Sequence, residues 1–150
     1  MRVSDTDEGL RRALAFTGEE HLAQFLPRLT EVSLAAGEVL FRVGEPATLV
    51  YFIVSGRLAV RKKTGFAEKM QVVALLDPGA PVGEGAVFPG RIHDATVVAV
   101  EDCRLVALDG TGLEGLAAEN PVLAWKFICR LLDVAHLRLQ KASDRLARVL

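Results

Sequence analysis

DPGAPVGEGAVFPGRIHDATVVA, residues 77–99, is the stretch from which the interpretation of this chain starts. A polar, glycine-rich insert precedes an apolar run here, and Gly83-Glu84-Gly85-Ala86-Val87 predicts one helical turn. Small residues let backbone N–H groups at the start of such a turn approach an anion such as phosphate. Glu84 would repel that anion, but its carboxylate can accept hydrogen bonds from hydroxyl groups of the same ligand, as a ribose offers. The residues therefore suggest a sugar-phosphate site, with a glycine-rich β-turn and an exposed glutamate as the alternative.

Short apolar segments lie on both sides of this insert, and glycines stand between or beside them. The predicted strands are 39–41, 49–54, 57–61, 70–75, 95–100 and 103–108. Many short strands at this spacing indicate an all-β sandwich or roll. The segment 57–61 reads as a half-buried strand, because Leu58 and Val60 share one face while Ala59 and the two arginines share the other.

Residues 7–30 are predicted to form helices, because apolar residues recur there at helical spacing. Thr17 and Gly18 interrupt this pattern. Thr17 and Glu20 have the spacing of a capping box, so a second short helix is expected to begin at this point.

A long helix is predicted from residue 120 to the end of the sequence. Asn120 is a favourable N-cap, Pro121 is a favourable first residue, and neither glycine nor proline follows. An apolar stripe runs along this helix through Leu123, Phe127, Leu131, Ala135, Leu139, Ala142, Leu146 and Val149. At 1.5 Å per residue the helix would extend about 45 Å, which is more than a domain of this size can cover. We therefore expect a homodimer through this helix, the alternative being a helix folded back on its own domain.

The composition limits the class of protein to which the chain can belong. Its 150 residues suit a single domain, and a net charge of -1 with a pI near 6.3 leaves no electrostatic footprint for nucleic acid or an anionic membrane. The N-terminal residues are too polar for a secretory leader, and the longest apolar run, 49–56, is far below the roughly 18 residues of a membrane span. We expect a cytoplasmic protein in which Cys103 and Cys129 are buried thiols, with no metal site and no cofactor.

Three stretches taken together resemble a known family. They are LAAGEVLFRVGEPATLVYFIVSGRLAV at 34–60, LLDPGAPVGEGAVF at 75–88 and HDATVVAVEDCRLVAL at 93–108. In this order they are similar to the cyclic nucleotide-binding domain, the sensor domain of proteins such as the catabolite activator protein, here without a DNA-binding domain. The resemblance implies a mainly β fold with flanking helices: short N-terminal helices at 7–30 and an eight-stranded antiparallel, jelly-roll-like β-roll at 31–110. It also implies a phosphate-binding cassette at 79–96 and C-terminal lid and dimerisation helices at 111–150, within one domain over 1–150.

The resemblance also implies roles for individual residues. In the family the glutamate of the cassette binds the ribose 2′-hydroxyl, which points to Glu84, and the amides that follow, Gly85 and Ala86, meet the cyclic phosphate. The family's phosphate-binding arginine stands two residues before an alanine, here Ala95, and His93 occupies that position. The ligand-binding residues predicted on this basis are Gly83, Glu84, Gly85, Ala86, Arg91, His93, Ala95, Thr96 and Arg138.

His93 departs from the family pattern, because a histidine is mostly neutral at pH 7 and cannot make the forked contact of a guanidinium. Arg91 can substitute: if 91–95 is extended, Arg91 and His93 point to the same face and Asp94 points away. A protonated His93 is a second substitute, and binding would then improve as the pH falls. An ungapped alignment of the lid helix places Arg138 near the base, where it can stack on a purine or remain a solvated residue.

These observations favour a ligand-sensing regulatory module that binds cAMP or cGMP in the β-roll and relays the signal through the C-terminal helix. The alternative is a diverged domain that binds another small anion, or no ligand, and serves for dimerisation or docking. Catalysis is not expected, because the three histidines lie in different segments without a nucleophile motif or paired carboxylates. Nucleic acid is not expected as a partner of this chain alone, because no recognition helix follows the long helix; a stand-alone domain and a fragment of a longer protein both fit.

Overall fold

The computed structural model describes residues 7–65 and 69–150. Residues 1–6 and 66–68 lie outside the described residues. The predicted domain 1–150 and the polar N-terminal stretch therefore each begin outside the part of the chain that the structure describes. The helices are α1 (Glu8–Ala13), α2 (Glu19–Phe25), α3 (Gly110–Glu119) and α4 (Pro121–Val149), with 3₁₀ turns at Ala15–Thr17, Leu26–Arg28 and Glu84–Val87. The strands are β1 (Thr30–Leu34), β2 (Val39–Phe41), β3 (Leu49–Ser55), β4 (Leu58–Lys63), β5 (Met70–Leu76), β6 (Pro81–Val82), β7 (Thr96–Ala99) and β8 (Cys103–Asp109).

The eight strands form two four-stranded sheets in which all neighbours are antiparallel. One sheet has the order β1-β8-β3-β6, and the other has the order β2-β7-β4-β5. Short helices precede the sheets and the long helix α4 follows them. The predicted mainly β fold, an eight-stranded antiparallel roll with flanking helices, is therefore confirmed.

Two clusters of buried apolar residues stabilise the roll, and strand β3 contributes to both of them. Because side chains alternate along a strand, Tyr51 and Ile53 pack between the two sheets, whereas Phe52 faces the helices. On that side the Phe52 ring lies 5.2 Å from the ring of Phe16 and 5.9 Å from that of Phe127 on α4, measured between centroids. Burial on both faces explains why this strand reads as an uninterrupted apolar run.

Each strand predicted from the apolar pattern coincides with an observed strand, but the pattern did not predict β1 and β6. β6 has only two residues, and β1 is mostly exposed. The half-buried strand predicted over 57–61 is partly wrong, because Ala59 is as well buried as Leu58. β4 lies inside its sheet, where Ala59 has Leu75 and Val98 as cross-strand neighbours, so its small side chain is covered on both sides.

Thr17 and Gly18 separate α1 from α2 as predicted, but the capping box does not form. The N-cap of α2 is Gly18, with a φ of 78°, and the helix begins at Glu19. The Thr17 side chain is buried, and its hydroxyl donates a hydrogen bond to the carbonyl oxygen of Leu14 at 2.9 Å. Thr17 therefore closes the preceding turn instead of capping α2.

The long helix α4 begins at the predicted cap, where Asn120 Oδ1 accepts a hydrogen bond from the N–H of Leu123 at 3.1 Å. Its apolar stripe is divided into two parts. Leu123, Phe127 and Leu131 are buried against the roll, whereas Leu139 is 68% exposed. The first part of the stripe thus completes the core of its own chain, and the second part faces solvent. Homodimerisation through α4 stays a prediction.

Both cysteines are free thiols. Cys103 is buried, and burial raises the pKa of its thiol above the usual value. Cys129 is only half-buried on α4. The prediction of a buried thiol therefore holds for Cys103 and only in part for Cys129. Among the helices of residues 7–65 and 69–150, none is both long and apolar enough to cross a bilayer.

Candidate functional site

A cavity of about 500 Å³ lies in the roll beside the 3₁₀ turn Glu84–Val87. This volume falls in the range of sites for small organic ligands. The apolar part of its wall consists of Phe41, Ala47, Val60, Ala74, Leu76, Val82, Ile92, Ala95 and Val97. The remaining wall consists of Lys62, Gly83, Glu84, Gly85, Arg91, His93, Asp94 and Arg138. The wall of the cavity therefore combines apolar and charged residues.

Gly83 shapes the backbone of the turn that carries Glu84. Its φ is 79°, in the left-handed region, and an added Cβ would lie 2.9 Å from the carbonyl oxygen of Leu49. Only glycine fits both conditions. The first hydrogen bond of the turn runs from the N–H of Ala86 to the carbonyl oxygen of Gly83 at 3.0 Å. The amides of Glu84 and Gly85 precede this bond, at the open end of the turn, where N–H groups have no partner within the helix.

All of the predicted ligand-binding residues except Ala86 and Thr96 line the cavity. The amide of Ala86 is engaged within the turn, and its side chain packs against the core beneath α4. The hydroxyl of Thr96 accepts a hydrogen bond from the N–H of Val43 at 3.1 Å. Both residues therefore stabilise the backbone around the cavity and do not form part of its wall.

The carboxylate of Glu84 lies against α4. Its Oε1 atom is 3.5 Å from Nη1 of Arg138, and Nη2 of the same guanidinium donates to the carbonyl oxygen of Pro81 at 2.7 Å. Two turns earlier on the helix, Arg130 donates to the carbonyl oxygen of Gly79 at 3.1 Å. Two arginines of α4 thus bind the backbone that leads into the turn, and one of them also contacts the carboxylate. Glu84 thus lines the cavity and contacts α4, with its side chain 40% exposed.

His93 lies against the wall with its ring stacked on Phe41, at 3.5 Å between centroids and 7° between planes. Its backbone exchanges hydrogen bonds with the loop at Gly44 and Glu45. Burial lowers the pKa of His93, and the charges of Glu45, Asp94 and Glu84 oppose that shift only in part. The imidazole is therefore neutral at pH 7, which removes support for a protonated His93 as the anion contact at that pH.

Arg91 and Asp94 both stand at the rim of the cavity. The guanidinium carbon of Arg91 lies 5.1 Å from the centroid of the Phe88 ring. Asp94 was expected to point away if 91–95 is extended, and this condition does not hold: the chain bends at Asp94 and Ala95, and Asp94 is among the residues that line the cavity. The alternation that would turn Asp94 to the opposite face is therefore broken at that residue.

Lys62 is a rim residue that the sequence interpretation missed. It lies on β4, and its Nζ atom is 3.2 Å from Oδ2 of Asp94. A signal for it was present in the sequence, because Val60 faces the core and the side chain two residues further along a strand lies on the same face. The apolar wall was also missed, since its residues come from strands that are distant in sequence.

The charges around the cavity favour an anionic ligand with an apolar part. Lys62, Arg91 and Arg138 supply three cations, whereas Glu84 and Asp94 supply two carboxylates. Arg138 and Lys62 are each within 4 Å of one of these carboxylates. Arg91 makes no salt bridge that short among the described residues, so of these three cations it is the one whose charge is not offset by a carboxylate within 4 Å.

Comparison with known proteins gives a consistent result. The family model of the cyclic nucleotide-binding domain matches residues 31–120. The chain is 26% identical over 143 residues to the CRP-like cAMP-activated global transcriptional regulator of Mycobacterium tuberculosis, covering 94% of this chain and 62% of that protein. It is 29% identical over 107 residues to a cyclic nucleotide-gated potassium channel of Mesorhizobium japonicum, covering 71% of this chain and 28% of the channel. The chain thus spans less than two thirds of either protein.

Solved structures resemble this chain along most of its length. A cyclic nucleotide-binding domain from Methylobacillus flagellatus superposes with a TM-score of 0.85, covering 100% of this chain and 89% of that one, at 21% identity, which bears on the fold alone. The regulatory domain of Toxoplasma gondii PKA, solved with cAMP, has a TM-score of 0.66 at 26% identity, covering 77% of this chain and 46% of that one.

Proposed function

Because the chain belongs to the cyclic nucleotide-binding domain family, we propose that it is a ligand-sensing module that binds cAMP or cGMP in the cavity beside Glu84 and relays occupancy through α4. The family establishes a regulatory, cyclic nucleotide-binding type of domain. The choice of ligand, the relay and the absence of catalysis by this chain are our proposals. The observation that carries them is the cavity itself, whose wall combines a carboxylate, the amides at the start of a turn and an arginine with apolar side chains.

The polar and apolar residues of the cavity wall fit the two parts of a cyclic nucleotide. A ribose 2′-hydroxyl can donate to the carboxylate of Glu84. The cyclic phosphate can accept hydrogen bonds from the amides of Glu84 and Gly85 and from the guanidinium of Arg91. The base would then lie on the apolar wall, beneath Arg138.

Arg91, rather than His93, is the cation that we assign to the phosphate. Leaving the Phe88 ring costs Arg91 a cation–π contact of about 0.5–1 kcal/mol at an exposed site. A hydrogen bond from a guanidinium to a phosphate contributes about 1.5–3 kcal/mol, so the exchange is favourable. The neutral, stacked ring of His93 can supply one N–H donor but no charge.

The contact of Arg138 with Glu84 supplies a route for the relay. A ribose hydroxyl at Glu84 competes with Arg138 for the same carboxylate, whereas the bond of Arg138 to Pro81 and the bond of Arg130 to Gly79 do not involve it. Occupancy therefore changes one of the three polar contacts that Arg130 and Arg138 make with this segment, while the buried residues of α4 keep their packing. A change of helix position requires that the ligand bind the two positions with different affinities.

Calorimetry with cAMP and with cGMP tests the binding part of the proposal. The wild-type protein should bind at least one of them, and Glu84→Gln should weaken that binding by about tenfold, because a charged acceptor becomes a neutral one. Glu114→Gln, an exposed change on α3 outside the cavity, is the matched control and should bind as the wild type does. No heat at millimolar concentrations of either nucleotide would refute the proposal and leave the ligand-free docking module as the surviving alternative.

We further propose that α4 pairs with α4 of a second copy. Leucines and a tryptophan recur every seven residues on its exposed side, at Trp125, Leu132, Leu139 and Leu146, each 59–69% exposed. At 3.6 residues per turn this seam is rotated around the helix by about 130° on average from the buried residues Leu123, Phe127 and Leu131, so it forms the exposed continuation of the apolar stripe. The second position of each heptad, four residues after each seam member, holds Cys129, His136, Ser143 and Leu150, so neither position carries Lys, Arg, Asp or Glu. An apolar residue at one position of every heptad is half of the coiled-coil pattern, and the other position is mixed here, with His136 and Ser143 among its residues.

Sedimentation equilibrium tests this pairing. Leu139→Glu together with Leu146→Glu should convert a dimer into a monomer, because two charges per chain would be buried in the seam. Leu137→Glu is the matched control, since Leu137 is also exposed on α4 but lies outside the seam. Wild-type protein that sediments as a monomer at 100 μM would contradict the pairing.

A further inference from the structure

An ion pair at the rim of the cavity, Lys62 with Asp94, has no part in the binding mode proposed above. The Nζ atom of Lys62 lies 3.2 Å from Oδ2 of Asp94, and the two side chains are 45% and 88% exposed. A pair this exposed contributes little to the stability of a fold, because water and salt screen it. Both residues nevertheless line the cavity, so their charges act on whatever enters it.

The charges at the cavity balance one negative charge and not two. Glu84 is matched by Arg138 and Asp94 by Lys62, which leaves Arg91 as the surplus cation. A phosphodiester carries one negative charge, whereas a phosphate monoester carries close to two at pH 7.5 because its second pKa is about 6. The second charge of a monoester would meet Asp94 without a further cation to offset it.

We propose that the Lys62–Asp94 pair sets the charge that this cavity accepts: Lys62 offsets Asp94 enough to admit a singly charged phosphodiester, and Asp94 disfavours a doubly charged phosphate monoester. This inference rests on the proposed nucleotide-binding function. It adds two residues that determine specificity, one at the end of β4 and one in the loop before β7. Neither residue needs to touch the base or the ribose for this effect.

The test compares ligands that differ by one charge. The probes are 5′-AMP and its methyl phosphodiester, with cAMP as a second singly charged ligand, measured by calorimetry at pH 7.5 and 0.15 M salt. The quantity of interest is the ratio of the Kd of 5′-AMP to the Kd of the methyl ester. A purely structural role of the pair would weaken both ligands alike and leave this ratio unchanged.

Three variants of the full chain alter the rim, and one serves as a control. Asp94→Asn removes the carboxylate charge, Lys62→Met removes the ammonium but keeps an unbranched apolar stem, and the double variant restores the net charge of the rim. Lys63→Met is the control, because it removes the same charge from the next residue of β4, which does not line the cavity.

Exposed charge pairs contribute about 0.2–1 kcal/mol to a free energy, which sets the expected shifts of the ratio at about 1.4- to fivefold. Asp94→Asn should lower the ratio by that factor, Lys62→Met should raise it by the same factor, and the double variant should return it to within about twofold of the wild type. Lys63→Met should leave it unchanged.

The inference is overturned if Asp94→Asn leaves the ratio unchanged, or if Lys63→Met moves it as far as Lys62→Met does. In either case binding of cAMP by the wild-type protein would leave the proposed function standing. If the wild-type protein binds none of the three ligands at millimolar concentration, the proposed function fails and this inference fails with it. The two failures are therefore distinguishable in the same set of titrations.

Discussion

Replacing Arg91 by Met should weaken the binding of cAMP by about 5- to 30-fold. The change removes the guanidinium and keeps an unbranched side chain of similar reach. Arg91 is exposed at the rim, and exposed substitutions shift the free energy of unfolding by only about 0.5 kcal/mol. A loss of affinity would therefore report on the phosphate contact and not on the fold.

The size of the effect follows from two contacts that compete for the same guanidinium. In the structure Arg91 lies 5.1 Å from the centroid of the Phe88 ring, a contact of about 0.5–1 kcal/mol. A guanidinium hydrogen bond to phosphate contributes about 1.5–3 kcal/mol. The difference of about 1–2 kcal/mol is the net gain from Arg91, and it corresponds to about 5- to 30-fold in Kd.

The same reasoning predicts an effect of opposite sign at Phe88. Phe88→Leu removes the competing contact and should tighten cAMP binding by about two- to fivefold, but only while Arg91 is present. Calorimetry on the wild type, both single variants and the double variant gives the coupling directly. Arg61→Met, an exposed arginine on β4 outside the cavity wall, is the control. A change below twofold for Arg91→Met, or tightening by Phe88→Leu that persists without Arg91, would refute the assignment.

Three further outcomes follow from the geometry. Gly83→Ala should lower the free energy of unfolding, measured in urea, by about 1–3 kcal/mol, because the left-handed φ and the nearby carbonyl oxygen exclude a Cβ. Gly85→Ala, whose Cβ would meet open space, should lower it by less than about 1 kcal/mol. Burial holds the pKa of His93 below its usual value of about 6.5. The unfolded chain therefore takes up the proton first, and the free energy of unfolding should fall as the pH drops below about 6.5. His93→Phe should flatten that fall between pH 7 and 5, and an unchanged slope would contradict the reasoning. Phe127→Ala should lower the free energy of unfolding, measured in urea, by about 3–5 kcal/mol. Val122→Ala, on the exposed side of the same helix, is the control and should lower it by less than about 0.5 kcal/mol.

The fold could be read from the sequence because its signals are local. Glycine-bounded apolar runs mark most of the strands, and Asn120 with Pro121 marks the start of α4. β6 could not be found this way, because two residues, Pro81–Val82, carry no period. The capping box was wrong for a related reason: Thr17 has the correct spacing but is drawn into the preceding turn by burial, which spacing does not reveal.

The cavity was less accessible to sequence reasoning than the fold. Positions in the cassette itself, such as Glu84, were found because they are neighbours in sequence and match a family pattern. Asp94 was misplaced because one bend reverses the alternation on which its orientation was argued. The alternation along β4 places Lys62 on the same face as Val60, but that this face lines the cavity depends on how β4 pairs with its neighbours, a long-range feature. The stacking of His93 on Phe41 depends on such pairing too.

Helix α4 has the geometry of a lever. Its buried residues end at Leu131, so in the proposed relay the helix would pivot there and the part beyond Leu131 would be the arm that moves. Arg138 acts about 10 Å along that arm, whereas Leu150 lies about 28 Å along it, at 1.5 Å per residue. A displacement of 1 Å imposed at the arginine would therefore grow to nearly 3 Å at the tip, by proportion alone. In the proposed relay, the C-terminal end of α4 would therefore move further than the segment that contacts the cavity.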